Sequence, residues 1–145
     1  MSHTYASNLV HCVFSTAGRR DVIPEPDRLR QYMTGIAKQK GIPIVATGGT
    51  TNHVHLLIAL PPMMALAKAI QDLKGNSSRW LNEQKRGFAW QKGYGAFGVS
   101  ESRREAVTAY LLGQEEHHRK WSFEQEFLTL LKKSRIAYDP KFVFG

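Results

Sequence analysis

His53-Val54-His55 and, later in the chain, Tyr110 and Gln114 are the residues whose types and spacing could do chemistry. In an extended strand residues i and i+2 point to one face, so both imidazoles can reach a single ion. On a helix residues i and i+4 are stacked on one side, which gives the Tyr110 hydroxyl and the Gln114 amide a common face. Two imidazoles, one amide oxygen and a phenol are the parts needed for a metal-assisted attack of tyrosine on a phosphodiester. Neither half is specific alone.

Each half also has a purely structural account. A His-x-His pair can sit on a partly wet sheet face, hydrogen-bonded and inert. It lacks the third ligand a zinc enzyme needs, and no His-Glu-x-x-His helix supplies one. The stripe Val107, Tyr110, Leu111, Gln114 and His118 can be a core-facing seam. Yet Gln114 and His118 are poor choices for burial without partners. A stripe that turns polar where it would meet two histidines points to a shared site. His118 reads as structural, with a proton-transfer role as the alternative. Glu115, Glu116 and His117 read as facing solvent or a partner subunit. His11 reads as a satisfied sheet histidine, beside the pair if the two strands adjoin. Gly113, inside the helix, costs roughly 1 kcal/mol relative to Ala.

The elements that must position these residues follow from periodicity. Leu9 to Thr16 reads as a first strand. Pro24-Glu25-Pro26-Asp27 opens a helix whose Leu29, Tyr32, Met33 and Ile36 recur at helical spacing, with Gly41 as its stop. Ile42 to Thr47 and His53 to Leu60 are strands joined by a turn at Gly48-Gly49-Thr50-Thr51-Asn52, and Pro61-Pro62 ends the second. Alternation along it puts Val54, Leu56, Ile58 and Leu60 on a core face and both histidines on the other. Leu66 to Lys85 is a helix with Leu66, Ala69, Leu73, Trp80 and Leu81 as its apolar stripe. A fourth strand is expected near Ala96 to Val99. Ser102 with Glu105, and Ser122 with Gln125, match capping boxes, the second starting a helix over Phe123 to Lys133. The order β-α-β-β-α-β followed by two helices predicts an α+β, ferredoxin-like antiparallel sheet in a single domain spanning residues 1–145.

Composition bounds the rest. At 145 residues there is room for one real core. Lys and Arg number 20 against 12 Asp and Glu, a net charge of +8 that favours a polyanionic partner without saying which. Lys68, Lys74, Arg79, Lys85 and Arg86, on or beside the second helix, could follow a phosphate backbone or form a solvated face. Trp90, Tyr94 and Phe97 could stack on unpaired bases or be core. Cys12 is the only cysteine, so no intrachain disulfide or thiol-rich zinc site can form, which fits a reducing cytoplasm. The opening Met-Ser-His-Thr-Tyr carries no secretion pattern, and no apolar run approaches bilayer-spanning length.

The His53-Val54-His55 strand resembles the HUH motif, and Tyr110-Leu-Leu-Gly-Gln114 resembles the Tyr-x-x-x-Gln motif, of single-tyrosine transposases of bacterial insertion sequences. Leu9 to Arg20, Leu73 to Leu81, Gly93 to Ser100 and Gln114 to Phe123 extend the likeness over nearly the whole chain. Gly113 departs from it, since relatives often carry Asn there. The resemblance implies that His53, His55 and Gln114 hold one divalent cation, Mg²⁺ or Mn²⁺. It makes Tyr110 the nucleophile, leaving a 5′-phosphotyrosine and a free 3′-hydroxyl. It also implies a single-stranded DNA substrate with hairpins, a homodimer whose tyrosine helix crosses to the partner's histidines, and a cytoplasmic, nucleoid-associated protein. Three rivals stay open: a domesticated relative acting on dispersed palindromic repeats, a non-catalytic single-strand-binding module, and a metal-dependent hydrolase using water.

Overall fold

β-Branched and apolar residues from Leu9 to Ser15 form β1, every residue of which is buried. In a computed structural model, which describes residues 3–145, it lies inside a four-stranded antiparallel sheet. The expected absence of a secretion pattern over Met1 to Tyr5 falls partly outside the described residues. The remaining elements are α1 (Pro26–Gln39), β2 (Ile44–Gly49), β3 (His53–Ala59), α2 (Leu66–Gln84), β4 (Gly95–Val99), α3 (Arg104–Leu112), α4 (Gln114–His117) and α5 (Phe123–Lys133). The sheet order β2-β3-β1-β4 is the ferredoxin-like α+β arrangement the element order predicts. No helix among the described residues is long and apolar enough to cross a membrane.

The pleat of β1 and β3 sorts their side chains between two cores. Val10, Cys12 and Phe14 join Val54, Leu56 and Ile58 against Leu29, Met33 and Ala37 of α1 and Ala69, Ile70 and Leu73 of α2. The opposite face carries Leu9, Ala46, Leu57 and Leu111 in one cluster and Val13, Phe97, Phe123 and Leu131 in another. Helices α3 and α5 cover that second face. The sequence allowed the face of His53 and His55 to be partly wet; it is dry, because two helices pack on it.

Three local readings are corrected. Gly48 and Gly49 belong to β2, and only Thr50 to Asn52 make the turn. Ser102 does not cap α3: it sits in a short 3₁₀ turn, Glu101–Arg103, its hydroxyl against Ser100, and no side chain caps the helix. The helix of Tyr110 is not continuous through Gln114. It ends at Leu112, and Gly113 (φ −95°, ψ 17°) separates it from the one-turn α4. Glycine's poor helix propensity accounts for the break, since nothing crowds the position. By contrast α5 has the expected span, with the Ser122–Gln125 capping box made in both directions.

Candidate active site

The pairing of β1 with β3 sets Val13 opposite His55 and Ser15 opposite His53. His11 is diagonal to His55 on the same face, close enough for its Nε2 to lie 2.7 Å from His55 Nδ1. His11, His53 and His55 are all buried. The adjoining strands thus put His11 beside the pair, in direct contact.

α3 reaches this face because β2 offers no side chain at Gly48. A Cβ there would stand 2.0 Å from the Leu111 carbonyl oxygen and 3.0 Å from Gln114 Cγ. That close approach seats Leu111 against Ala46 and Leu57 and turns Gln114 inward, almost fully buried. The Gln114 Oε1 lies 3.0 Å from His53 Nε2 and 2.9 Å from His118 Nε2. Despite the broken helix, Tyr110 and Gln114 still converge.

They converge on Glu126, which the sequence reading missed. Its Oε2 accepts from the Tyr110 hydroxyl and, at 2.9 Å, from Gln114 Nε2. Its Oε1 is 2.9 Å from His55 Nε2, 3.2 Å from His118 Nε2 and 3.7 Å from His53 Nε2. His117, expected to face solvent or a partner, has Nε2 3.3 Å from Oε2 without hydrogen-bond alignment. His118 is likewise part of the cluster. A signal for Glu126 was present: Phe123, Glu126, Phe127, Leu130 and Leu131 recur at i, i+3, i+4, i+7 and i+8. A carboxylate therefore stands in the apolar stripe of α5, where charge is rarely found unpaired.

The tautomers follow from the surrounding bonds. Asn52 Nδ2 donates to the Arg19 carbonyl, which turns its Oδ1 toward His53 Nδ1 at 2.8 Å. His53 therefore carries its proton on Nδ1, and its Nε2 lone pair faces the Gln114 oxygen. That oxygen cannot donate either, because the Gln114 amide is oriented by its bond to Glu126. His118 Nδ1 is similarly committed to the Trp121 carbonyl at 2.7 Å. At His53 an acceptor faces an acceptor across 3.0 Å, an arrangement that calls for a cation or a proton between them.

Protonation is divided unevenly. Burial, then the neighbouring His55, lowers both His11 and His53 to about 3, so both are neutral near pH 7. Burial opposes charge on His118 too, but its contacts with Glu126 outweigh it and raise its pKa above the ordinary imidazole value. Burial also opposes the Glu126 charge, yet hydrogen bonds from His118 and His55 hold the carboxylate far below its usual range. Tyr110 is pushed up, first by burial and then by its hydrogen bond to Glu126.

The donor set fits a small divalent cation. Ligand atoms of His53, His55, His118 and Glu126 lie within 4.8 Å of one another. Neighbouring donors on an octahedron with bonds of about 2.1 Å stand roughly 3 Å apart, close to the spacings here. Mixed imidazole and oxygen donors suit Mn²⁺ on ligand grounds and admit Mg²⁺. Asn52 fixes the His53 tautomer, so Asn52→Ala is expected to weaken Mn²⁺ binding by about 10- to 100-fold without unfolding the protein. Calorimetric titration checks this; an unchanged affinity would show that the turn does not orient the ligand.

The basic residues of α2 lie apart from this cluster, because α2 packs on the other sheet face. Lys68, Arg79, Lys85 and Arg86 are exposed, although Lys68 is paired with Asp72 at 3.1 Å. Lys74 differs: its Nζ donates to the carbonyls of Gln91 and Gly93, at 2.7 and 2.8 Å, and lies over the Phe14 ring. It is committed to holding a loop. Trp90 and Phe97 are packed, Trp90 donating to Ser77, while Tyr94 is exposed. A cleft of about 470 Å³ opens instead beside Tyr110 and Glu126, with Arg103, Trp121 and Lys133 on its walls.

Residues 4–114 match the family described as "Transposase IS200 like", and the chain belongs to that family. The ISDra2 transposase TnpA of Deinococcus radiodurans is 30% identical over 96 residues, covering 61% of this chain and 69% of the relative. The transposase of insertion sequence element IS200 from Salmonella typhimurium is 28% identical over 86 residues, 58% of this chain and 57% of that protein. Among solved structures, a Deinococcus radiodurans protein assigned as a transposase superposes with TM-score 0.63 at 26% identity, over 79% of this chain and 96% of that one. A REP-associated tyrosine transposase bound to a REP hairpin shares the fold, with TM-score 0.63 at 13% identity, over 84% of this chain and 74% of that one.

Proposed function

We propose that this chain is a metal-dependent transposase that cuts and rejoins single-stranded DNA through Tyr110. The observation that carries the reading is the meeting, around one buried carboxylate, of the Tyr110 hydroxyl with the His53 and His55 imidazoles and the Gln114 amide. His53, His55 and Gln114 would hold Mg²⁺ or Mn²⁺, which supplies Lewis-acid polarisation of the scissile phosphate. Tyr110 Oη attacks phosphorus in line, and the bond from phosphorus to the 3′ oxygen breaks. Glu126 Oε2 holds the phenol as its hydrogen-bond acceptor, the phenolic proton passes to water, and water protonates the departing 3′ oxygen. The resulting 5′-phosphotyrosine retains the energy of the phosphodiester. A second 3′-hydroxyl can therefore reverse the step without a nucleotide cofactor.

The contacts of Tyr110 with Glu126, and of Glu126 with His55, are made within one chain and support a site assembled in cis. The cleft beside Tyr110 is the path by which a strand reaches the hydroxyl, with Arg103 and Lys133 placed to meet its phosphates. Lys68, Arg79, Lys85 and Arg86 would meet phosphates remote from the cut; Lys74 is withdrawn from that role by its internal bonds.

The test is to mix the full chain, Mn²⁺ and a labelled single-stranded hairpin oligonucleotide. A protein–DNA adduct that survives denaturation, and fails to form with chelator, is the expected result. Cleavage that leaves both ends free would identify a hydrolase. Binding that leaves the DNA intact would identify a non-catalytic module.

A further inference from the structure

Glu126 lies outside the residues matched to the family, 4–114, and outside the His53, His55 and Gln114 set. We propose that Glu126 is a further ligand of the divalent cation through Oε1, and that its Oε2 holds the Tyr110 hydroxyl beside that ion. This inference rests on the metal-dependent reading above and adds to it a residue and a division of labour.

The two carboxylate oxygens have different surroundings. Oε2 accepts from both the Tyr110 hydroxyl and Gln114 Nε2, so its lone pairs are spoken for. Oε1 faces Nε2 of His55, His118 and His53 at 2.9, 3.2 and 3.7 Å, and accepts no hydroxyl or amide. It therefore points at the place where the three imidazole Nε2 atoms converge. The Glu126 side chain is only 2% exposed, so no water shell compensates its charge. A buried carboxylate needs a cationic partner. Among the described residues no Lys or Arg reaches it: the groups within ion-pair distance are imidazoles. A divalent ion at that point gives Glu126 Oε1, His53 Nε2 and Gln114 Oε1 a common partner.

The geometry also ties the nucleophile to the ion. Tyr110 and Gln114 both bond Oε2, and Gln114 presents its other amide atom to His53. One carboxylate thus spans the ion's ligands and the attacking oxygen. The capping box and the apolar stripe of α5 anchor it: Phe123 and Leu131 are buried on either side along the helix.

The experiment titrates the full-chain protein with Mn²⁺ alone, by calorimetry and electron paramagnetic resonance, in wild type and in the Glu126→Gln, His53→Ala and Tyr110→Phe variants. Glu126→Gln is expected to lose about 100-fold in Mn²⁺ affinity, while Tyr110→Phe, which removes no ligand, stays near wild type. Equal or tighter binding by Glu126→Gln would overturn the proposal, since the carboxylate would then be competing for the ion's place. A second measurement needs no variant that folds: Mg²⁺ added to the wild type should shift a carboxylate stretching band in the infrared difference spectrum. A difference spectrum without such a band, in protein that binds the ion, overturns it as well. If wild type and His53→Ala alike bind no Mn²⁺, the metal-dependent reading itself has failed. If wild type binds, His53→Ala does not, and Glu126→Gln is unaffected, only the role of Glu126 has failed.

Discussion

Tyr110→Phe is expected to abolish the covalent protein–DNA adduct, a loss on the order of 10⁶-fold in strand cleavage, comparable with deletion of other enzymic nucleophiles. The substitution removes one oxygen and leaves the ring in place. That ring packs against the cluster of Leu9, Ala46, Leu57 and Leu111, and these contacts persist. Glu126 loses one hydrogen bond but keeps those to Gln114, His55 and His118, so the stability cost is about 1 kcal/mol. The variant should therefore still bind oligonucleotide. Denaturing electrophoresis of labelled DNA, beside a binding assay on the same samples, separates the outcomes. Continued cleavage by Tyr110→Phe would hand the nucleophile's role to water or to another residue.

Gly48→Ala is the second large effect, and it acts at a distance from the chemistry. The added methyl would overlap the Leu111 carbonyl oxygen, which cannot rotate away as a side chain could. α3 must shift off β2, carrying Leu111 out of its pocket and Gln114 away from His53. Overpacking of this kind costs about 3 kcal/mol. For a domain of this size that lowers Tm by roughly 6–12 °C. Mn²⁺ affinity should fall with it, because the displaced amide oxygen is one of the proposed ligands. Thermal melting and calorimetry test both halves. A variant with wild-type Tm and wild-type affinity would mean that the helix does not need this close approach.

Much of this arrangement was legible in the residues. Alternation along His53 to Leu60 put both imidazoles on one face, and the capping box at Ser122 fixed the start of α5. Tyr110 and Gln114 could be paired from spacing alone, even though Gly113 interrupts the helix, because one broken turn leaves the two side chains on the same side. The rest depended on contacts remote in sequence. Whether the histidine face was wet turned on what packs over it, and α3 and α5 carry no local mark of their docking partner. Glu126 was hidden by a prior: a carboxylate on a helix with charged neighbours usually points to water. Its place in the stripe of Phe123, Phe127, Leu130 and Leu131 contradicted that prior, but burial became decisive only once the tertiary packing was known. Lys74 is the converse case. A lysine on a basic helix reads as a phosphate contact until the carbonyls of a distant loop are seen to bond it.

The strand β3 acts as a ruler with two marked edges. Val54, Leu56 and Ile58 grip one core while His53 and His55 face the other, and the pleat keeps the two sets in fixed alternation. Single replacements on the apolar edge can be absorbed by repacking. Insertion or loss of one residue within the strand cannot, because it would send an imidazole into oil and a valine into the histidine cluster. The strand thus tolerates a change in side-chain volume but not in its length.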